Sequence, residues 1–251
     1  MAILFLMISV LGLWEFYSLV KTKNIFPQIV SGFLILTCVF VFSVADNIQA
    51  LMPFEKNYLI RLFFYLLLIF VFLLIFFLSI FELFRKKENP FSNIGYTLLG
   101  ILYVAVPFAL LLLIPSKNAI QFIVLGFFFL IWSNDTFAYL VGRTIGRTKL
   151  FERISPKKTW EGFIGGVICT QGIAYLISIY FTELAPIHWH VVALIVSVFG
   201  TLGDLVESMF KRSLGVKDSG TILPGHGGIL DRFDGVLLSS PFVVTYLMLV
   251  R

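Results

Sequence analysis

Long stretches without a charged side chain constrain the fold of this chain more than any other feature. Asp, Glu, Lys and Arg are missing from residues 24–45, 62–81, 89–116, 118–134, 162–182, 184–203 and 235–250. Several of these runs reach the ~20 residues that a helix needs to cross the hydrocarbon core of a bilayer. Only 13% of the residues are charged, which is far below the ~25% of an ordinary soluble domain. The pattern therefore argues against a soluble globule.

The apolar runs indicate helices, because backbone polar groups in lipid must be satisfied internally and no period-two alternation indicates a β-barrel. Residues 1–14 form a further apolar run at the start of the chain. We interpret this run as part of a span and not as a removable signal peptide, since Glu15 follows it and no basic stretch precedes it. We predict an all-α, polytopic transmembrane helical bundle of about eight spans, at approximately residues 1–20, 27–45, 59–83, 94–114, 119–141, 161–182, 189–210 and 233–250.

The basic residues predict the orientation of this array. The connections after odd-numbered spans hold 15 of the 19 Lys and Arg residues, and such loops face the cytoplasm. Both termini are therefore predicted to lie outside. The net charge of +5 then reflects topology and attraction to anionic lipid headgroups, and nucleic-acid binding is not expected because no soluble basic domain is present.

The charged residues are concentrated in the second half of the chain. Residues 135–234 hold 19 of the 33 charged residues and all three histidines. We predict an N-terminal transmembrane scaffold at residues 1–118 and a C-terminal transmembrane catalytic region at 119–251. The predicted catalytic region has a polar cavity at the cytoplasmic face.

Asp135 lies near the end of an apolar run, where an ionised carboxylate is costly unless it is paired or faces a polar cavity. On a continuing helix, Asp135, Tyr139 and Arg143 share one face, so either an internal brace between Asp135 and Arg143 or a polar site is possible. Downstream, Ser155 or Thr159 is positioned to cap the next helix. With Lys157 and Lys158 this segment is either a phosphate pocket at a helix N-terminus or an ordinary basic loop.

Residues 203–235 are more specific. Asp204, Ser208 and Arg212 share one helical face, and Asp231 and Asp234 project together from the next helix. Such carboxylates repel one another unless a cation lies between them, and hard oxygen ligands suit Mg²⁺ better than Zn²⁺. The intervening loop carries glycines around His226, which is either a phosphate contact or a structural donor. Together with the basic residues nearby, the pattern indicates phosphoryl or nucleotidyl transfer.

In these segments the sequence resembles the phosphatidate cytidylyltransferase family, also called CDP-diacylglycerol synthases. The resemblance lies in the segment from Ser208 through Lys217-Asp218 to Pro224-Gly-His-Gly-Gly-Ile-Leu-Asp231-Arg232-Phe-Asp234. Residues 135–143 and 155–162 are also similar to family motifs. Family members usually carry one more segment before the helix that resembles residues 1–20, so the chain looks one span short.

The resemblance implies Mg²⁺-dependent transfer of CMP from CTP to phosphatidic acid, with release of pyrophosphate, by a homodimer in a bacterial inner membrane. The implied metal ligands are Asp204 and Asp231, with Asp234 as a further ligand or orienting group. Catalytic roles are implied for Asp204, Ser208, Lys211, Arg212, Asp231 and Asp234. Substrate binding is implied for Asp135, Arg143, Ser155, Lys157, Lys158, Thr159, Lys217, Asp218, His226, Gly227 and Arg232.

Two other activities remain compatible with the pattern. A CTP-dependent polyprenol or diacylglycerol kinase would share the metal and nucleotide features but would release CDP. A membrane transporter would need polar residues through the membrane depth, whereas these charges gather at one face. A CDP-alcohol phosphatidyltransferase is disfavoured, because Asp234-Gly235 is followed by Val-Leu-Leu-Ser in place of the motif expected there.

Overall fold

The computed structural model describes residues 1–49, 57–114, 120–220 and 227–250, so His226 lies outside the described residues. Helices account for most of the described chain. They are α1 (Ala2–Val20), α2 (Ile29–Gln49), α3 (Asn57–Phe84), α4 (Pro90–Gly100), α5 (Val106–Leu111), α6 (Ile120–Ile145), α7 (Trp160–Tyr180), α8 (Pro186–Leu214) and α9 (Leu230–Val250). A π-helical turn at Ile101–Ala105 joins α4 to α5 and ends two residues before Pro107, whose missing N–H disturbs the regular helical ladder.

Six helical segments of the described chain are long and apolar enough to cross a membrane: Ala2–Lys23, Pro90–Leu111, Ile120–Ile145, Trp160–Tyr180, Pro186–Leu214 and Leu230–Val250. Two shorter apolar stretches, Ile29–Val44 and Ile69–Phe84, lie in α2 and α3. The chain is thus an all-α membrane protein, as predicted. The count of eight spans stays a prediction.

A short hairpin departs from the helical pattern and was not anticipated by the sequence analysis. Strands β1 (Lys149–Phe151) and β2 (Ser155–Thr159) pair antiparallel, with Lys149 opposite Thr159 and Phe151 opposite Ser155. Thr159 then begins α7, because its hydroxyl oxygen accepts a hydrogen bond of 3.2 Å from the Gly162 N–H. Of the two predicted capping residues, the structure selects Thr159, and Ser155 lies in β2.

The chain forms two compact units. The first comprises residues 1–113 and 218–230, and the second comprises 114–217 and 231–251. In the first unit, Tyr17 is fully buried and donates a 2.9 Å hydrogen bond to the Thr97 carbonyl. Buried Glu82 accepts hydrogen bonds from Gln28, Arg85 and Asn93. The predicted division at residue 118 stays a prediction.

The second unit is held together by close packing between α6, α7 and α8. A Cβ atom on Gly162 would lie 2.7 Å from the Ala138 carbonyl oxygen and 2.9 Å from the Gly142 Cα. Small residues thus let α6 and α7 approach at backbone distance, which is typical of helix pairs in membranes. Trp189 of α8 is fully buried and donates a 2.9 Å hydrogen bond to the Phe181 carbonyl.

Candidate active site

The candidate site begins where α8 and α9 pack against each other in the second unit. A Cβ atom on Gly203 would lie 2.5 Å from the carbonyl oxygen of Asp234, and one on Gly235 would lie 3.6 Å from the Gly200 Cα. Glycine at 203 therefore permits backbone contact at this position. The contact brings Asp204, the next residue of α8, near Asp234 of α9, and their carboxylates interact electrostatically.

Lys158 joins this pair from the end of the hairpin. Its ammonium nitrogen lies 2.5 Å from Asp204 Oδ2 and 3.5 Å from the Thr201 carbonyl oxygen. The two side chains of the ion pair are 26% and 38% exposed, respectively. A pair that is this accessible can exchange its partner for a ligand, whereas a buried pair would resist separation.

Asp135 completes the first cluster from α6. Its carboxylate interacts electrostatically with Lys158 and Asp204, and it also interacts with Asp234. Of the two alternatives for this face, the brace between Asp135 and Arg143 is not seen among the described contacts, and Arg143 instead donates a 3.3 Å hydrogen bond to the Tyr139 hydroxyl. Three carboxyl groups therefore share one lysine. We refer to Asp135, Lys158, Asp204 and Asp234 as the aspartate cluster.

Glu207, Lys211 and Asp231 form a second charged cluster next to the aspartate cluster. Lys211 contacts Asp231 and lies 2.6 Å from Glu207 Oε2. Glu207 also interacts electrostatically with Asp231 and Asp234, so the two groups are contiguous. The side chain of Glu207 is only 1% exposed. The sequence analysis assigned no role to Glu207, and in the structure its buried carboxyl group contacts Lys211.

Ser208 and Arg212 continue the same face of α8. The Ser208 hydroxyl donates a 3.2 Å hydrogen bond to Asp204 Oδ1, which places it beside the aspartate cluster. Arg212 is exposed and donates a 3.4 Å hydrogen bond to the Val216 carbonyl just beyond the end of α8. That bond satisfies a carbonyl in the turn and leaves the guanidinium at the surface.

The remaining predicted substrate contacts differ in their exposure. Thr159 is buried as the cap of α7, Ser155 is half-buried in β2, and Gly227 adopts a positive φ of 80°. The exposed members are Arg143, Lys157, Lys217, Asp218 and Arg232. The structure does not test their assignment to substrates, which stays a prediction.

Glu161 is a structural residue that the sequence analysis did not single out. Its carboxylate accepts hydrogen bonds from the N–H groups of Arg147 and Thr148, at 3.0 and 3.1 Å. These bonds connect the first turn of α7 to the chain that enters β1. They fix the base of the hairpin and therefore the position of Lys158.

The donor set can be compared with the needs of a magnesium ion. Within the described residues, no three His, Cys, Asp or Glu side chains are already arranged around a common metal position. Asp204 is turned to Lys158, and Asp231 is turned to Lys211. The aspartate cluster nevertheless offers three carboxyl groups, whose hard oxygen atoms are the ligands that Mg²⁺ prefers. The residues present therefore fit this ion.

Comparisons with known proteins identify relatives of this chain. Over 160 residues, 63% of this chain, the sequence is 44% identical to a phosphatidate cytidylyltransferase of Staphylococcus saprophyticus and 43% identical to one of Staphylococcus haemolyticus. A phosphatidate cytidylyltransferase of Rickettsia typhi is 40% identical over 159 residues, 60% of this chain and 69% of that protein. The match covers 60% of the length of each of the two staphylococcal relatives.

The family comparison extends over almost the whole sequence. The model described as the cytidylyltransferase family matches residues 1–250, which include both units and both charged clusters. Because so much of the sequence is matched, this chain belongs to the cytidylyltransferase family.

Proposed function

We propose that this protein transfers CMP from CTP to phosphatidic acid and forms CDP-diacylglycerol and pyrophosphate. The observation that carries the proposal is the 44% identity over 160 residues to a phosphatidate cytidylyltransferase. The carboxylates and lysines of the two charged clusters support it, because nucleotidyl transfer needs groups that position phosphates and balance their charge. The substrates are CTP from the aqueous phase and a lipid phosphate from the bilayer.

The reaction is an in-line displacement at phosphorus. A phosphate oxygen of phosphatidic acid attacks the α-phosphorus of CTP, and the bond from that phosphorus to the bridging oxygen of the β-phosphate breaks. The electron pair of that bond leaves with pyrophosphate. A strong general base is not required, because a phosphate monoester is already largely ionised at neutral pH and is itself the nucleophile. Positioning therefore supplies most of the rate enhancement.

Mg²⁺ is the cofactor that we propose. Asp204 and Asp234 would hold it, with Asp231 as a third ligand once Lys211 has moved from that carboxylate. When bound, the ion neutralises charge on the phosphates of the nucleotide. Ser208 would orient Asp204 through the hydrogen bond that it already donates to Oδ1.

The basic side chains are proposed to bind the phosphates of the two substrates. Lys158 and Lys211 each contact a carboxylate of the charged clusters, so a substrate phosphate would take the place of a carboxylate partner. The other proposed phosphate contacts are Arg212, Lys217, His226 and Arg232. The proposed CTP pocket is completed by Asp135, Arg143, Ser155, Lys157, Thr159, Asp218 and Gly227.

The site is proposed to face the cytoplasm of a bacterial cell, in the inner membrane, with both termini outside. The distribution of basic residues supports this orientation, and the aligned relatives come from bacteria. A homodimer is proposed from the family resemblance alone. CTP would reach the site from the cytoplasm, and the acceptor phosphate would meet it at headgroup depth.

The test is a product assay with the purified chain in lipid or detergent. Labelled CTP, phosphatidic acid and Mg²⁺ should yield CDP-diacylglycerol and one pyrophosphate for each lipid product. Release of CDP without pyrophosphate would refute the proposal and indicate a CTP-dependent lipid kinase. Binding of CTP without any lipid product would also refute it.

A further inference from the structure

Glu15 is a buried carboxylate in the first helix, far in sequence from the charged motifs. It lies on α1 and is only 3% exposed. Its hydrogen-bond partners among the described residues come from residues 218–230, the part of the chain that connects α8 to α9 and that belongs to the same unit as α1. An ionisable side chain within a membrane span is costly and is by default a candidate for function.

Three donors surround this carboxylate. The Ser219 hydroxyl donates to Oε1, the Ile229 N–H donates to Oε2 at 2.8 Å, and the Leu230 N–H donates to Oε1 at 3.3 Å. Ile229 and Leu230 stand at the start of α9, whose first N–H groups have no partner within the helix. A carboxylate at this end also interacts favourably with the helix dipole. Glu15 is therefore a cap for α9 that is supplied by another helix.

The glycines of the connection make this contact possible. A Cβ atom on Gly220 would lie 3.0 Å from the Glu15 carboxyl carbon, and one on Gly228 would collide with Glu15 Oε1 and the Ser219 hydroxyl. The backbone thus closes around Glu15 at both ends of the connection. At these two positions, glycine is needed for contact with a protein carboxylate.

We propose that Glu15 is a positioning residue for the reaction, because it fixes both ends of the connection between α8 and α9. This inference rests on the proposed function. Lys217 and Asp218 precede Ser219 directly, and Asp231 follows Leu230 directly along the chain. Holding Ser219 and Leu230 therefore sets the points from which these residues project. Glu15 itself does not contact the substrate.

The side chain must accept hydrogen bonds at both oxygens. A glutamine has one carbonyl oxygen and one NH₂ group, so either orientation places NH₂ against the N–H of Ile229 or of Leu230. Glu15→Gln therefore opposes two donors at one of the two positions. Glu15→Asp keeps two acceptors on a stem that is one methylene shorter, and it should restore part of the function.

The experiment compares three variants of the full-length membrane protein. Glu15→Gln should lower kcat at least tenfold and should increase the rate of tryptic cleavage after Lys217 at least tenfold. Glu15→Asp should recover part of both losses. Glu82→Gln is the matched control, because Glu82 is similarly buried in the same unit but contacts Gln28, Arg85 and Asn93. It should lower thermal stability without accelerating this cleavage.

The outcomes separate this proposal from the proposed function. Wild-type kcat and wild-type cleavage in Glu15→Gln would overturn the positioning role. Equal acceleration of cleavage by Glu82→Gln would also overturn it, since the effect would then be general destabilisation. If the unmodified protein makes no CDP-diacylglycerol but Glu15→Gln still accelerates cleavage, the loop contact is supported and the proposed function fails.

Discussion

The approach of α8 to α9 at Gly203 offers the most direct test of how the fold builds the site. In Gly203→Ala, the new Cβ would lie 2.5 Å from the Asp234 carbonyl oxygen and 3.2 Å from both the Asp234 carbonyl carbon and the Leu238 Cβ. The first distance is about 0.9 Å short of the 3.4 Å at which ordinary contact begins. Because two of the three contacts are backbone atoms, a side-chain rotation cannot relieve them. The helices must move apart.

The expected size of the effect follows from that displacement. Overpacking of this kind costs about 1–3 kcal/mol of stability, partly offset by the ~0.5–1 kcal/mol that alanine gains over glycine within a helix. Asp204 and Asp234 would shift relative to each other by at most about 0.9 Å, the amount by which the new contact is too short. Since a misplacement of about 1 Å can cost about 100-fold in rate, we expect kcat to fall about tenfold to 100-fold.

Gly200→Ala provides the matched control on the same helix. A Cβ atom at Gly200 meets nothing within 4 Å in the structure, so this variant should keep wild-type kcat and equal or higher thermal stability. Both variants would be assayed for pyrophosphate release at saturating CTP and phosphatidic acid. Unchanged kcat in Gly203→Ala would refute the reasoning that helix contact sets the site, as would equal losses in the two variants.

Three further substitutions test individual side chains. Asp231→Asn should reduce turnover at least 100-fold while membrane insertion stays intact, since the amide would be a much poorer ligand for Mg²⁺; appreciable activity would remove Asp231 from the metal site. Lys158→Ala should raise the Michaelis constant for CTP about tenfold or more, because a charge-assisted contact contributes about 1.5–3 kcal/mol, whereas Lys149→Ala in β1 should leave it unchanged. Thr159→Ala should lower the free energy of unfolding by about 1 kcal/mol through loss of the helix cap. Thr159→Ser should keep the cap and the wild-type free energy of unfolding. A Thr159→Ser variant that is less stable than Thr159→Ala would contradict the capping role.

The sequence predicted the helical segments well because hydropathy reports the surrounding solvent. The predicted span at 189–210 lies within α8, which is longer and extends from Pro186 to Leu214. The helix continues past the apolar run, since Lys211 and Arg212 at its end find partners in carboxylates and carbonyls. The hairpin at residues 149–159 was missed for a related reason. Its residues are mostly polar, and its pairing depends on a tertiary contact from Glu161.

The candidate site was predicted in its composition but not in its pairing. The i, i+3 spacing of Asp231 and Asp234 predicts that they project together, and the structure gives them different contacts. Asp231 contacts Lys211, whereas Asp234 lies within electrostatic reach of Asp204 and Asp135. Contacts between helices decide this, and sequence spacing within one helix does not report them.

The contacts of Glu15 were not predicted from the sequence, because the whole N-terminal region was given a single role. Residues 1–118 were interpreted as a scaffold, so Glu15, which follows the first apolar run, served only to argue against a signal peptide. Its presence in a span was itself an indication of function. The partners, Ser219, Ile229 and Leu230, lie more than 200 residues away in sequence. No local pattern connects α1 to a loop at that separation.

In the charged clusters, helix packing holds the carboxyl groups together against their mutual repulsion. Among the described residues, the carboxyl groups of Asp135, Asp204, Glu207, Asp231 and Asp234 lie near two lysines, Lys158 and Lys211. Repulsion among these carboxylates opposes the arrangement, and desolvation at helix ends adds to the cost. Glycine contact between α8 and α9 holds Asp204 and Asp234 together despite this repulsion. The packing thus keeps these carboxyl groups close together, and a divalent cation between them would relieve their repulsion, which is the physical basis of the proposed magnesium site.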